Sequence, residues 1–238
     1  MKKFMLAAVI AAVGALGVAG IASAIQGQQA ISAKVTNNKA GTKSKPKSVG
    51  LLTVTTTTTP APGEEGTFAT KTAVIFFDKN IVFGGSKFRS CSSAQVLSDD
   101  SKCPAGSKVG SGTSVARFAG QTVALKVKAY NGPGGNKLSL LVDNAQFGIH
   151  NALQGTLTNA TGNYGKKLTV TIPANLQSPL PGQFATLTQF ITKVGGTSKG
   201  TPYVGLKGCS GGKLKFKGTF VYTDNTSKTA TDTATCKK

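Results

Sequence analysis

The segment Lys213–Tyr222, KLKFKGTFVY, alternates strictly: Lys213, Lys215 and Lys217 fall on one side, Leu214 and Phe216 on the other. A period of two is what a strand with one buried and one wet face requires, and antiparallel sheets supply that environment. Asp224-Asn225 offers a turn, so 226–236 is expected to pair back on this strand. The same pattern recurs upstream. Ile31, Ala33 and Val35 alternate with Ser32, Lys34 and Thr36, and Val123, Leu125 and Val127 alternate with Lys126 and Lys128. The second of these runs into Asn131-Gly132-Pro133-Gly134-Gly135, a turn signal that predicts a hairpin with Leu138, Leu140 and Val142. Runs rich in β-branched and apolar residues at 49–59, 73–77, 80–83, 109–118, 147–157, 167–172 and 185–194 add further strands. One short helix, 92–98 capped by Ser92, is the exception. Strands at this spacing, with no sustained helical period between them, predict an all-β protein. The expected architecture is an antiparallel β-sandwich, with a β-barrel as the alternative, filling 25–238 as a single domain.

The first 24 residues set the expected compartment. Lys2 and Lys3 precede an uncharged run from 4 to 21, and Ala22-Ser23-Ala24 has the small-x-small form of a cleavage site, the pattern of an export signal. Gly14, Gly17 and Gly20 weaken that run as a permanent anchor, and no later stretch is apolar enough to span a membrane. The cysteines agree with export. Cys91, Cys103, Cys209 and Cys236 form an even set in a chain expected outside the cytoplasm, so two disulfides are predicted. Three pairings are open, and proximity in sequence favours Cys91 with Cys103 and Cys209 with Cys236. Neither spacing suits a zinc site, and no other metal or cofactor motif is present.

Phe88-Arg89-Ser90-Cys91-Ser92, the run from Cys103-Pro104-Ala105-Gly106-Ser107 to Lys108-Val109-Gly110-Ser111-Gly112, and the closing Gly208-Cys209, Phe220-Val221-Tyr222-Thr223-Asp224 and Thr233-Ala234-Thr235-Cys236 resemble a group of exported β-rich proteins of actinobacteria. The resemblance spans roughly 30–238. It implies a secreted, disulfide-bonded β protein and implies no activity.

Charge is the other compositional signal. The chain carries 28 basic against 8 acidic residues, a formal net charge of +20, and only Arg89 and Arg117 are arginines. Sequence-specific nucleic-acid readers rely on the bidentate guanidinium, so a lysine-dominated surface argues against that class. The counter-charge expected for an exported lysine-rich protein is an anionic polymer of the cell envelope, or simply solvent. Lys213, Lys215 and Lys217 would stand about 7 Å apart on one strand face, from a rise of about 3.4 Å per residue. Lys126 and Lys128 make a shorter row. The two rows are expected to form one positive face if the sheets bring them together.

Catalytic candidates are few. His150 is the single histidine. Gly208-Cys209-Ser210-Gly211-Gly212 resembles the segment around the nucleophile of chymotrypsin-like proteases, but Cys209 stands where that family has Asp, and no acid separates His150 from Ser210. Glu64, Glu65, Asp78, Asp99, Asp100 and Asp143 are the carboxylates a glycosidase could use, and the settings of Glu64 with Glu65 and of Asp99 with Asp100 read as solvated turns. With no Trp, sugar stacking would fall to Tyr164 and Tyr203 as the best-placed of four tyrosines. The leading expectation is therefore a non-catalytic protein, secreted or on the outer face of the envelope, touching an anionic polymer through lysines. The alternatives are a hydrolase built on scarce acids and His150, or a sandwich holding a small apolar ligand between its sheets.

Overall fold

The computed structural model describes residues 27–66 and 68–238; the expected export signal at 1–24 lies outside them. The chain forms β1 (Gln28–Val35), β2 (Lys47–Ser48), β3 (Leu51–Thr59), β4 (Thr70–Asp78) and β5 (Ile81–Phe83), then helix α1 (Ser93–Asp99). A meander follows: β6 (Lys108–Phe118), β7 (Gln121–Asn131), β8 (Lys137–Asn144), β9 (Ile149–Asn159) and β10 (Tyr164–Thr171). After the single-turn helix α2 (Ala174–Gln177) come β11 (Thr186–Gly195), β12 (Thr197–Ser198), β13 (Thr201–Pro202), β14 (Val204–Leu206), β15 (Lys213–Tyr222) and β16 (Ser227–Thr235). The all-β antiparallel class and both disulfides, Cys91–Cys103 and Cys209–Cys236, are as expected. Ser92 caps α1 through a reciprocal pair in which its Oγ accepts from Gln95 N and Gln95 Oε1 accepts from Ser92 N.

Eleven strands share one sheet, in the order β1-β3-β11-β6-β7-β8-β9-β10-β4-β15-β16, and every neighbouring pair is antiparallel. Of the two architectures weighed from sequence, a sheet rolled nearly shut corresponds to the barrel, although its inward side chains meet across the middle as the layers of a sandwich do. An odd count has a topological consequence: directions alternate around the ring, so the two end strands β1 and β16 must run parallel where they meet. Asp232 Oδ2 accepts from Ala33 N across this seam at 2.8 Å, and a parallel bridge joins Lys39 to Lys237 beyond it.

The alternation seen in sequence decides which side chains face inward. Leu214, Phe216, Phe220 and Tyr222 of β15, Ile75 and Phe77 of β4, Leu138, Leu140 and Val142 of β8, and Leu52 and Val54 of β3 all enter one buried core. Gly218 interrupts this series because the Phe220 ring lies over it; a Cβ there would sit 2.7 Å from a ring carbon. Overpacking at such a position costs about 1–3 kcal/mol.

The ends of the barrel differ. One end receives the connection that carries β2, the excursion from Asn80 to Ser107 and the stretch that carries β12–β14. There β2, β14 and β5 form a three-stranded sheet, with Val49, Ile81, Tyr203, Val204 and Leu206 buried beneath or within it. Cys209–Cys236 ties the entry of β15 to the exit of β16 at that end. Among the described residues Asp78 is buried there without an ion pair, yet it is satisfied: Asn80 N and Nδ2 donate to Oδ1 at 2.8 and 2.9 Å, and Lys215 N donates to Oδ2 at 2.9 Å. The disulfide Cys91–Cys103 holds α1 against the outer surface of β8 and β9. Cys91, Val96, Tyr130 and Leu141 make a small satellite core under it.

Candidate functional site

The lysines singled out in the sequence are not assembled into one face. β7 and β15 are separated by β8, β9, β10 and β4, five inter-strand steps of about 4.8 Å around a curved surface, so the two rows remain distinct. Lys128 is committed to a carboxylate: its Nζ lies 2.7 Å from Asp100 Oδ2, which also accepts from Tyr130 Oη at 2.6 Å. The Lys128 and Tyr130 hydrogen bonds hold the Asp100 carboxyl below the usual range, and burial followed by the Asp100 contact pushes the Tyr130 hydroxyl up. This cluster fastens the disulfide-bonded excursion to β7. Lys126 stands opposite Asp143 in the β7–β8 register. On β15, Lys213 and Lys215 are exposed, and among the described residues no carboxylate forms an ion pair with either. Lys217 differs, because its Nζ sits 4.0 Å above the Phe76 ring and 5.4 Å from that of Tyr164, a cation–π arrangement that holds the charge against the sheet.

The catalytic candidates do not converge. His150 is the second residue of β9 and points outward. Its Nδ1 is 2.9 Å from Asp143 Oδ1 and its Nε2 is 2.8 Å from Leu97 O. Both partners are acceptors, so both ring nitrogens act as donors in the imidazolium, and the Asp143 and Leu97 hydrogen bonds hold its pKa above the ordinary value. Ser210 lies at the far end of the barrel, where its Oγ accepts from Asn80 Nδ2. The acids are occupied structurally. Glu64 Oε2 accepts from Gly27 N and Ala61 N, Glu65 pairs with Arg117 at 2.7 Å, and Asp99 caps the turn at Ser101. Among the described residues no cluster of three His, Cys, Asp or Glu could hold a metal. Tyr203, expected to be exposed, is buried and stacks edge-on to Phe88 at 5.1 Å, because β14 and its flanks cover that end of the core. Tyr164 is half-buried against Phe76.

What the sheet does assemble is a cavity. At the end opposite the small sheet, an apolar space of about 310 Å³ lies inside the barrel. Its walls are inward side chains of β6 to β9, β11 and β4, and its rim is formed by Phe118, Phe147, Leu176 and Pro179. Eight strands enclose a barrel that side chains just fill, and a wider ring leaves room unless a helix or plug occupies it. Here the plug occupies one end only. The β6 wall also recedes, because its inward positions are Gly110, Gly112, Ser114 and Ala116, so that four consecutive inward residues lack bulk. Two smaller spaces of about 80 and 50 Å³ continue along the barrel, and Phe190, Leu187, Thr70, Leu153 and Ile172 line both the first and the second.

Among the described residues the cavity lining contains no charged side chain. Asn175 Nδ2 donates to Asn151 Oδ1 at 3.1 Å near the rim. Ser114 is 1% exposed and, among the described residues, its Oγ has no hydrogen-bond partner. It lines the inner part of the cavity, opposite Phe190 and Leu125 in the two ladders it joins. No reasoning from sequence reached this residue. The signal that could have found it is the small-residue series at period two in 110–116, next to the inward bulk of β7 and β11.

No family model matches the chain, and no curated protein or solved structure matches it.

Proposed function

We propose that this chain is an exported, non-catalytic binding protein that carries a small apolar ligand in the unplugged end of its barrel. The observation that carries the reading is the 310 Å³ cavity with an uncharged lining, a size within the range of about 300–1,000 Å³ typical of small-molecule sites. The two disulfides support an extracellular setting, and the double commitment of the His150 ring argues against its use as a general base. The test is uptake of the apolar fluorophore N-phenyl-1-naphthylamine by the purified, oxidised protein. Ala116→Phe, which puts a ring into the cavity from β6, should weaken uptake at least tenfold while the far-ultraviolet spectrum is kept. Absence of uptake by the wild type, or uptake indifferent to Ala116→Phe, would remove the reading.

A second reading concerns the outside of the barrel and is favoured by the exposed, unmatched charges of Lys213 and Lys215. In it the β15 row makes electrostatic contact with an anionic envelope polymer. Co-sedimentation with isolated envelopes should then fall steeply with salt and weaken when Lys213, Lys215 and Lys217 are neutralised together. Association unchanged by those substitutions would reduce the row to a solvated edge that discourages aggregation.

A further inference from the structure

Resting on the ligand-carrier reading, we infer that the ligand enters polar group first: it is a neutral molecule, apolar for most of its length, whose terminal hydroxyl or carbonyl meets Ser114 at the inner end of the cavity. Three observations converge on this. Among the described residues Ser114 Oγ is buried without a partner inside a mainly apolar space, and a buried hydroxyl with no hydrogen bond is costly enough that native interiors rarely retain one. The other two buried side-chain oxygens without partners, Ser107 Oγ and Asn131 Oδ1, line none of the three interior spaces. Ser114 is therefore the only one of the three that a guest could satisfy.

Depth fixes the orientation. Along β6 the cavity-lining positions run from Phe118 at the rim through Ala116 to Ser114, a span of about 13 Å at the usual strand rise. The rim is mainly apolar, with Phe118, Phe147, Leu176 and Pro179 around it, and its two side-chain amides, Asn151 and Asn175, are bonded to each other. A ligand that kept its polar group at the mouth would place alkyl carbon against Ser114 and leave the hydroxyl unsatisfied. The opposite orientation pairs the two polar groups and lets the apolar rim cover the tail.

The uncharged lining fixes the protonation class. Among the described residues no lysine, arginine or histidine lines the space to neutralise an anion, and an unpaired carboxylate there carries a large desolvation cost. Alcohols, ketones, aldehydes and esters fit, whereas ionised fatty acids do not. Size follows by comparison: a dry cavity of about 150 Å³ accepts a benzene-sized guest, so this space suits a molecule of roughly twice that bulk.

The experiment compares three ten-carbon ligands that differ at one end, 1-decanol, 1-chlorodecane and decanoate, by displacement of N-phenyl-1-naphthylamine at neutral pH. Wild type should bind decanol about tenfold tighter than chlorodecane, the worth of one buried neutral hydrogen bond, and decanoate more weakly than either. Ser114→Ala should bring the decanol to chlorodecane ratio close to one, both affinities being taken against the fluorophore's own dissociation constant in that variant. Ser114→Thr keeps a hydroxyl at the site and should retain the preference. A ratio unchanged in Ser114→Ala, or decanoate binding as tightly as decanol, would overturn the polar-first orientation while the carrier reading stands. Failure of the fluorophore to bind wild type at all would take both down together.

Discussion

At one end of the barrel the chain sends long connections, builds a second sheet from β2, β14 and β5, and places both disulfides on the excursions that start there. At the other end it returns through tight turns at 119–120, 145–148 and 223–226, the connection from β3 to β4 and the segment carrying α2, and the interior stays open. The same ring of strands therefore has one end committed to closure and one to access. The difference teaches how an eleven-stranded ring can be both stable and hollow: both cross-links sit at the end where the core is continuous, which allows small inward residues to be tolerated elsewhere.

The largest effect should come from opening the closed end. Replacing Cys209 and Cys236 together by Ser releases a crosslink that spans 27 residues of sequence, worth about 3.5 kcal/mol by loop entropy. The shorter Cys91–Cys103 link spans 12 and should cost about 2.8 kcal/mol on the same scale. Urea denaturation of each double variant measures these losses. Fluorophore affinity at the other end should stay within twofold in both, and a fall in affinity that tracks the loss of stability would show that the ends are not independent.

Asp78→Ala is the next largest. It removes one carboxylate that satisfies two donors of Asn80 and the amide of Lys215, leaving them unpaired at a buried turn. A cost of about 3 kcal/mol is expected, read again from urea midpoints. Asp78→Asn keeps an oxygen acceptor and should recover part of that loss. At the open end the same operation should have the opposite sign: Ser114→Ala deletes a hydroxyl that has no partner, and the ligand-free protein should gain about 1 kcal/mol of stability. Destabilisation by Ser114→Ala would mean that the hydroxyl is already satisfied in the folded chain, and the contrast between the ends would lose its clearest evidence.

The parts of this architecture that were legible in sequence are those written in local pattern. Lys213–Tyr222 announced its strand because core and solvent faces alternate without exception until Gly218, and Asn131 to Gly135 announced the β7–β8 connection through turn chemistry. Proximity gave both disulfides because each closes a local excursion. What stayed hidden was the pairing of distant strands. β3 lies beside β11 and β4 beside β10 and β15, and no local pattern encodes which strands meet, so the barrel and an enclosed apolar ligand stood only as alternatives, and neither the strand order nor the cavity's lining could be read. The lysine rows illustrate the same limit. Their spacing along each strand was legible, but Lys128's partner Asp100 arrives from an excursion 28 residues away in sequence. Ser114 was concealed for a related reason: a serine between Thr113 and Val115 has meaning only once Phe190 and Leu125 are known to flank it across two ladders.

The smallest expected effect tests whether the outer excursion is coupled to the cavity at all. His150 bridges α1 to the barrel by donating to Leu97 O and to Asp143 Oδ1, and these bonds raise its folded pKa above the ordinary value near 6.5. A raised pKa means that the protonated form is favoured by folding, so the contribution is fully present below the unfolded value and is lost as pH rises through the folded one. The chemistry behind the sign is a count of donors: the neutral ring has one N–H for two acceptors. Because His150 is the only histidine, its ring-proton resonance titrates without overlap, and the midpoint should lie above 6.5 in wild type and move down in Asp143→Asn. Amide protection in α1 should weaken over the same interval. Ligand affinity should stay flat through it, since His150 faces outward between Ile149 and Asn151, which line the cavity. A ligand affinity that follows the His150 titration would join the outer excursion to the open end and redraw the boundary between the closing and binding parts of the barrel.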